Sequence, residues 1–211
     1  MQSIHNKLLN LKLFTILDRN LGTFEMSFGF SSAHPVGPRQ LDGSPFRLYA
    51  YGDGMNGLSV FYADGQAQIG DISLSNATTK IPIYFTIESN SNYWVAHVDT
   101  TAKSSNSSSF QTADVSSTTN LLSLTKTSEL VNSVSFSNDG VSTDTVSGSS
   151  TKLTNVWTLY GKYVLLNQPK ANFYAKPTDK KGWYLLTWST TVDASVGNTP
   201  VNLRTIGPLS S

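Results

Sequence analysis

Paired carboxylates would be the clearest catalytic signal, because glycosidases and related hydrolases need two acidic side chains close together. Residues i and i+2 of a β-strand share a face, so acidic residues at that spacing would place two carboxylates side by side. None of Glu25, Glu88 and Glu129 has a carboxylate two residues away. Glu88 ends an expected strand, where a solvated edge charge explains it. The sequence therefore predicts no catalytic residue.

Calcium is a second chemistry that the sequence leaves open. Asp53, Asn56, Asp64 and Asp71 fall in expected turns and loops, and calcium accepts oxygen ligands from irregular loops. The chain has no EF-hand spacing, and turn formation explains the same Asp residues without a metal. We expect no cofactor, with calcium as the alternative.

A copper site would need an exposed N-terminal histidine. Cleavage after Ser31-Ser32-Ala33 would expose His34, whose amine and imidazole could chelate copper together with His97, as in copper monooxygenases. The apolar segment ahead of this position makes a poor leader, and His97 is explained as an ordinary strand residue. We predict no metal site here.

Other catalytic patterns are missing from the sequence. The chain has no cysteine, which excludes disulfides, thiolate catalysis and thiolate zinc sites. It also lacks a nucleophile elbow, a P-loop and a dinucleotide-binding pattern. Enzymatic activity stays undecided, and the patterns favour a protein that is not an enzyme.

Aromatic side chains are the remaining candidates for a binding site. Tyrosine and tryptophan are spread over the expected strands, and neighbours along a strand point to opposite faces, so some rings must lie outside the core. Flat rings stack on sugars, and nearby polar groups orient hydroxyls. The predicted aromatic platform comprises Tyr51, Tyr62, Trp183 and Tyr184.

Three Asp-Gly pairs indicate the local structure that carries these rings. Asp42-Gly43, Asp53-Gly54 and Asp64-Gly65 are eleven residues apart, which suits an antiparallel meander with tight turns. Between the first two, Phe46, Leu48 and Ala50 alternate with Arg47, Tyr49 and Tyr51. This alternation predicts a strand with one face in the core.

About ten strands are expected, with turn signals at the spacing of an all-β protein. We predict an antiparallel β-sandwich, similar to a jelly roll, as a single domain over residues 34–211. Residues 100–120 form a polar, low-complexity tract that predicts a long exposed loop. Residues 1–33 fit either a degraded leader or an edge element.

Composition limits the partners. Charged residues make up 14% of the chain and the net charge is +1, so the composition lacks the excess of basic residues that is typical of nucleic-acid-binding proteins. No apolar run is long enough to span a membrane. Two glycosylation sequons begin at Asn76 and Asn106 and are weak indications of secretion.

Three segments carry a resemblance to a group of known proteins: GLSVFYADGQAQIGD, FYAKPTDKKGWYLLTW and PVNLRTIGP. They resemble secreted, Ser/Thr-rich cell-surface proteins of filamentous fungi, over roughly residues 45–207. The resemblance implies an extracellular or wall-associated β-sandwich, and it carries no residue of known catalytic role.

Together these features predict a non-catalytic extracellular or cell-surface protein that is structural in a wall or coat and could bind polysaccharide. One alternative is a carbohydrate-active enzyme on a jelly-roll fold. Another is a self-assembling capsid or appendage subunit, so self-association stays open.

Overall fold

The computed structural model describes residues 43–89, 93–101, 120–138, 150–191 and 196–209. Within these ranges the protein is all-β and antiparallel, as predicted, and its only helical element is a 3-10 turn at Ile72–Leu74. The first strands are β1 (Tyr49–Gly52), β2 (Met55–Ala63), β3 (Gln66–Gly70), β4 (Lys80–Ile87), β5 (Trp94–Val98), β6 (Asn120–Lys126) and β7 (Asn132–Ser137). The others are β8 (Thr151–Leu153), β9 (Trp157–Tyr160), β10 (Tyr163–Leu166), β11 (Asn172–Pro177), β12 (Trp183–Ser189) and β13 (Thr199–Arg204).

The expected sandwich is wrong, because the sheet closes into a barrel of ten strands. The circuit runs β1-β2-β4-β5-β6-β7-β3-β12-β11-β13 and returns to β1. Closure comes from the antiparallel pairing of Tyr49–Gly52 with Val201–Arg204 in a continuous register of four residue pairs. A sandwich would leave these two strands as sheet edges, whereas their pairing satisfies the backbone groups of both.

Three strands lie outside the ten-strand circuit, and strands of the circuit make two additional pairings. The hairpin β9–β10 extends from β13, and β8 pairs with β6. The strands β2 and β3 also pair with each other, so the circuit is connected across its middle. Asp53-Gly54 and Asp64-Gly65 form the turns on either side of β2, as predicted, with positive φ at both glycines.

In the described part of the chain, alternating apolar residues fill one core. Strand β4 buries Ile81, Ile83, Phe85 and Ile87 and turns the residues between them outward. Four aromatic rings from separate parts of the chain contact one another in sequence, the first pair edge-on and the next two pairs stacked: Phe46, Trp94, Trp157 and Phe173.

Several expectations concern residues outside the described ranges. These are the N-terminal segment 1–33, His34, the sequon at Asn106, and most of the polar tract 100–120. Among the residues that are described, no helix is long and apolar enough to cross a bilayer.

Candidate functional site

Three polar side chains just before and within β1 lie on the outer surface. Phe46 pairs with Phe85 through two backbone hydrogen bonds of 2.9 and 2.7 Å, which fixes the chain just before β1. Phe46, Leu48 and Ala50 are buried, so Arg47, Tyr49 and Tyr51 point away from the core. The alternation predicted from the sequence is confirmed here.

A groove of about 570 Å³ lies beside Arg47 on this outer surface. Tyr49 from β1 and Tyr84 from β4 supply two half-buried aromatic rings. The Tyr84 ring stacks on His97 with a centroid distance of 5.0 Å, so only its other face and its edge can contact a ligand. The remaining polar lining comes from the loop after β5 and from the end of the chain: Asp99, Thr100, Thr101 and Thr205.

Asp99 is the most constrained polar group in the groove, and the residue is 4% exposed. Its Oδ2 accepts a hydrogen bond from Arg47 Nε at 2.5 Å. Its Oδ1 accepts from Thr101 N at 3.0 Å and from Thr101 Oγ1 at 2.7 Å. Arg47 Nη2 donates to the same threonine hydroxyl at 2.9 Å, which closes a ring of hydrogen bonds.

This hydrogen bonding stabilises the charged form of both partners. The hydrogen bond from Arg47 is the main reason why the pKa of Asp99 falls from 3.8 to about 2, and hydrogen bonds from Thr101 add to it. Asp99 in turn raises the pKa of Arg47. At neutral pH Asp99 is therefore a carboxylate without a proton to donate, which suits hydrogen-bond acceptance and not general acid catalysis.

A second groove of about 450 Å³ is also lined by Arg47. It shares Arg47, Tyr49, Asp99 and Thr101 with the first groove and adds a second carboxylate, Asp71. Oδ1 of Asp71 accepts hydrogen bonds from Ser73 N at 2.9 Å and from Ser73 Oγ at 2.7 Å, which caps the 3-10 turn. Both carboxylates of this groove thus already have structural partners.

A row of four residues, each directly opposite the next on neighbouring strands, begins at Tyr49 of the first groove. Tyr49 is opposite Arg204, Arg204 is opposite Tyr163, and Tyr163 is opposite Tyr160. Directly opposite residues of antiparallel strands share a face, so these four side chains cross β1, β13, β10 and β9 together. Tyr163 is 37% exposed and Tyr160 is 66% exposed.

The four residues of the aromatic platform predicted from the sequence do not lie together in the structure. Tyr51 adjoins the row, and its hydroxyl donates to Ile206 O at 2.9 Å. Tyr62 packs against the core and lies 5.1 Å from Phe136 between ring centroids. Trp183 is 3% exposed, and Tyr184 packs against the core. The structure thus brings only Tyr51 near the groove, and a binding role for the four stays a prediction.

The oxygen ligands considered for calcium have separate structural positions. Asp64 accepts hydrogen bonds from Thr78 N and Thr79 N, Asp71 caps the 3-10 turn, and Asp53 lies in the turn before β2. In the described ranges, no three acidic or histidine side chains come together where they could hold a metal ion. His97 Nε2 hydrogen-bonds with Thr86 Oγ1 at 2.8 Å. Asn76, the first residue of one sequon, is exposed.

Sequence reasoning missed Arg47, Tyr84, Asp99 and Thr101 as site residues. Arg47 and Asp99 are 52 positions apart, and no local pattern links them. The available signals were the outward position of Arg47 in the alternation before β1 and an aspartate directly after a strand. Comparisons with family models, with curated proteins and with solved structures found no match.

The ion pair predicts a specific loss of stability in acid. The folded pKa of Asp99 lies below its unfolded value, so its contribution is complete above about pH 5 and is lost as the pH falls towards 2. Because the Arg47 side chain is 46% exposed, solvent screening reduces the effect, and we expect about 1–2 kcal/mol. The test is the free energy of unfolding between pH 7 and pH 2.5, for the wild type and Asp99→Asn.

The variant should lose less stability than the wild type over this interval. Asp53→Asn is the matched control, because it removes an exposed carboxylate from a turn that asparagine also favours. This control should follow the wild-type pH profile. Identical profiles for Asp99→Asn and the wild type would show that the ion pair does not contribute.

Proposed function

We propose that this protein is a non-catalytic, extracellular or cell-surface protein that binds polysaccharide in the groove between Tyr49 and Tyr84. The observation that carries the proposal is the pairing of two aromatic rings with a fixed polar cluster in one groove of about 570 Å³. Sugars have apolar ring faces and polar edges, so a site for them needs both kinds of group.

The polar cluster supports binding because its groups are already held in place. Asp99 is locked by Arg47 and Thr101, so a ligand would not have to order the carboxylate. The half-exposed guanidinium of Arg47 can offer its remaining N–H groups to the groove. Fixed groups cost little conformational entropy on binding, which favours affinity.

The same cluster argues against hydrolysis. A glycosidase needs one carboxyl group that carries a proton and a second one that does not. Asp99 has a lowered pKa, and Asp71, the second carboxylate nearby, caps a 3-10 turn. The extracellular location rests on the low charge of the chain and on the exposed position of Asn76 in its sequon.

The test is retention of the purified protein on chitin, β-glucan and mannan, followed by titration calorimetry with oligomers of the polymer that retains it. Tyr84→Ala removes a groove ring and should weaken binding about tenfold, equivalent to about 1.4 kcal/mol. Tyr184→Ala is the matched control, because Tyr184 is a half-buried strand tyrosine that does not line the groove.

Each result separates the alternatives. Loss of affinity in Tyr184→Ala but not in Tyr84→Ala would move the site to the aromatic platform predicted from the sequence. No retention on any of the three polymers would contradict binding of a neutral polysaccharide in the groove. Release of new reducing ends from any polymer would favour the carbohydrate-active enzyme.

A further inference from the structure

Arg204 on β13 holds its guanidinium between two tyrosine rings from the neighbouring strands. Its Cζ lies 4.5 Å from the ring centroid of Tyr51 and 4.8 Å from that of Tyr163. Nε is buried without a hydrogen-bond partner, and no described carboxylate pairs with this side chain. Arg204 is therefore a rigidly placed cation whose charge is not neutralised within the described part of the chain.

We infer that Arg204 binds the carboxylate of an acidic sugar residue next to the groove, an inference that rests on the proposed polysaccharide binding. A guanidinium can donate two parallel hydrogen bonds to a carboxylate. Tyr51 and Tyr163 both pack on the guanidinium, so the space left for an anion is narrow. A planar carboxylate needs less room there than a tetrahedral sulfate or phosphate.

The position of Arg204 makes it continuous with the groove. Tyr49, which lines the groove, is its direct partner on the adjacent strand, and adjacent strands are about 4.8 Å apart. A saccharide that leaves the groove past Tyr49 reaches Arg204 next. An oligosaccharide in the groove can therefore place a neighbouring sugar residue against the guanidinium.

Arg47 and Arg204 divide the recognition between them. Arg47 is neutralised by Asp99, so the groove itself favours sugars with neutral hydroxyls. Arg204 lacks such a partner among the described residues and adds a preference for negative charge. The ligand class that satisfies both is a polysaccharide that contains uronic acid residues.

The test compares an oligogalacturonate with its methyl ester, which has the same sugar and length but no charge. In titration calorimetry the acid should bind the wild type at least about tenfold more tightly. Arg204→Met keeps an unbranched apolar stem between the rings and should abolish this preference without weakening the ester. Arg204→Lys keeps the positive charge but cannot donate two parallel hydrogen bonds. If it prefers the acid over the ester as strongly as the wild type does, the bidentate contact is overturned.

A second measurement needs no variant. The NMR resonances of the Arg204 guanidinium N–H groups should shift on addition of the acid and stay in place with the ester. Equal affinity for acid and ester, both weakened by Tyr84→Ala, would overturn this inference and leave the groove proposal standing. Binding of the acid and not of the ester, with an affinity that Tyr84→Ala leaves unchanged, would overturn the groove proposal and leave the contact at Arg204. Binding of no glycan would overturn both.

Discussion

Replacing Gly70 with alanine should destabilise the barrel by about 2–5 kcal/mol, because the new Cβ has no room. Gly70 ends β3 opposite Trp183 of β12, with φ at +118°. A Cβ there would lie 2.2 Å from Gly182 O and 2.8 Å from Trp183 Cα. Both contacts are with the backbone, so the β3–β12 pairing itself must shift.

Gly65→Ala is the matched control for this prediction. Gly65 also has a positive φ, of +82°, but a Cβ there would meet no atom within 4 Å. Gly65→Ala should lose only the stability that a positive φ costs a residue with a Cβ, about 1–2 kcal/mol. The measurement is denaturant unfolding of both variants beside the wild type. If the two variants lose the same stability, the close approach of β3 and β12 can relax, and strain at the glycine alone explains the loss.

The local features of the fold could be predicted because their causes are local. Asp-Gly pairs favour turns with positive φ, and the pairs at Asp53 and Asp64 lie where two of the expected turns form. The alternation around β1 and in β4 predicts strands, since side chains alternate between faces whatever the neighbouring strand is.

The barrel could not be predicted in the same way. Sandwiches and barrels share the alternation of apolar and polar residues, and they differ in which distant strands pair. Closure depends on Tyr49–Gly52 meeting Val201–Arg204, segments about 150 positions apart in the chain. Nothing in the composition of either segment specifies the other as its partner.

The site was predicted in chemical class but not in position. Tyrosine was expected on the outer surface, yet alternation alone does not say which of two adjacent aromatic residues faces outward. Trp183 and Tyr184 illustrate this, because the first is buried and the second is half-buried against the core. The Arg47–Asp99 pair depends on tertiary structure, since the pairing of β4 with β5 and of Phe46 with Phe85 brings Asp99 close to Arg47.

The packing of Trp94 shows how the core supports the surface that carries the groove. Trp94 lies on β5, five residues before Asp99, and is 1% exposed. Its ring meets Phe46 edge-on at 5.1 Å and stacks on Trp157 at 5.5 Å between centroids. Phe46 directly precedes Arg47, so the Trp94 ring supports the segment that carries one partner of the ion pair.

Trp94→Ala should therefore cost about 3–5 kcal/mol in the free energy of unfolding, a loss that many domains of this size do not survive at 37 °C. The cost combines lost burial of the indole with a cavity that the surrounding strands cannot close. Trp94→Phe fills part of that cavity and should cost clearly less. Both variants should be compared with the wild type by denaturant unfolding.

Tyr160→Ala is the control for removal of a large ring without a cavity, because that side chain is 66% exposed. It should change stability by no more than about 0.5 kcal/mol. A loss in Trp94→Ala as small as in Tyr160→Ala would mean that the aromatic stack does not hold the barrel together. The positions of Phe46 and of the neighbouring Arg47 would then need another support, and the backbone bonds between Phe46 and Phe85 would be the remaining candidate.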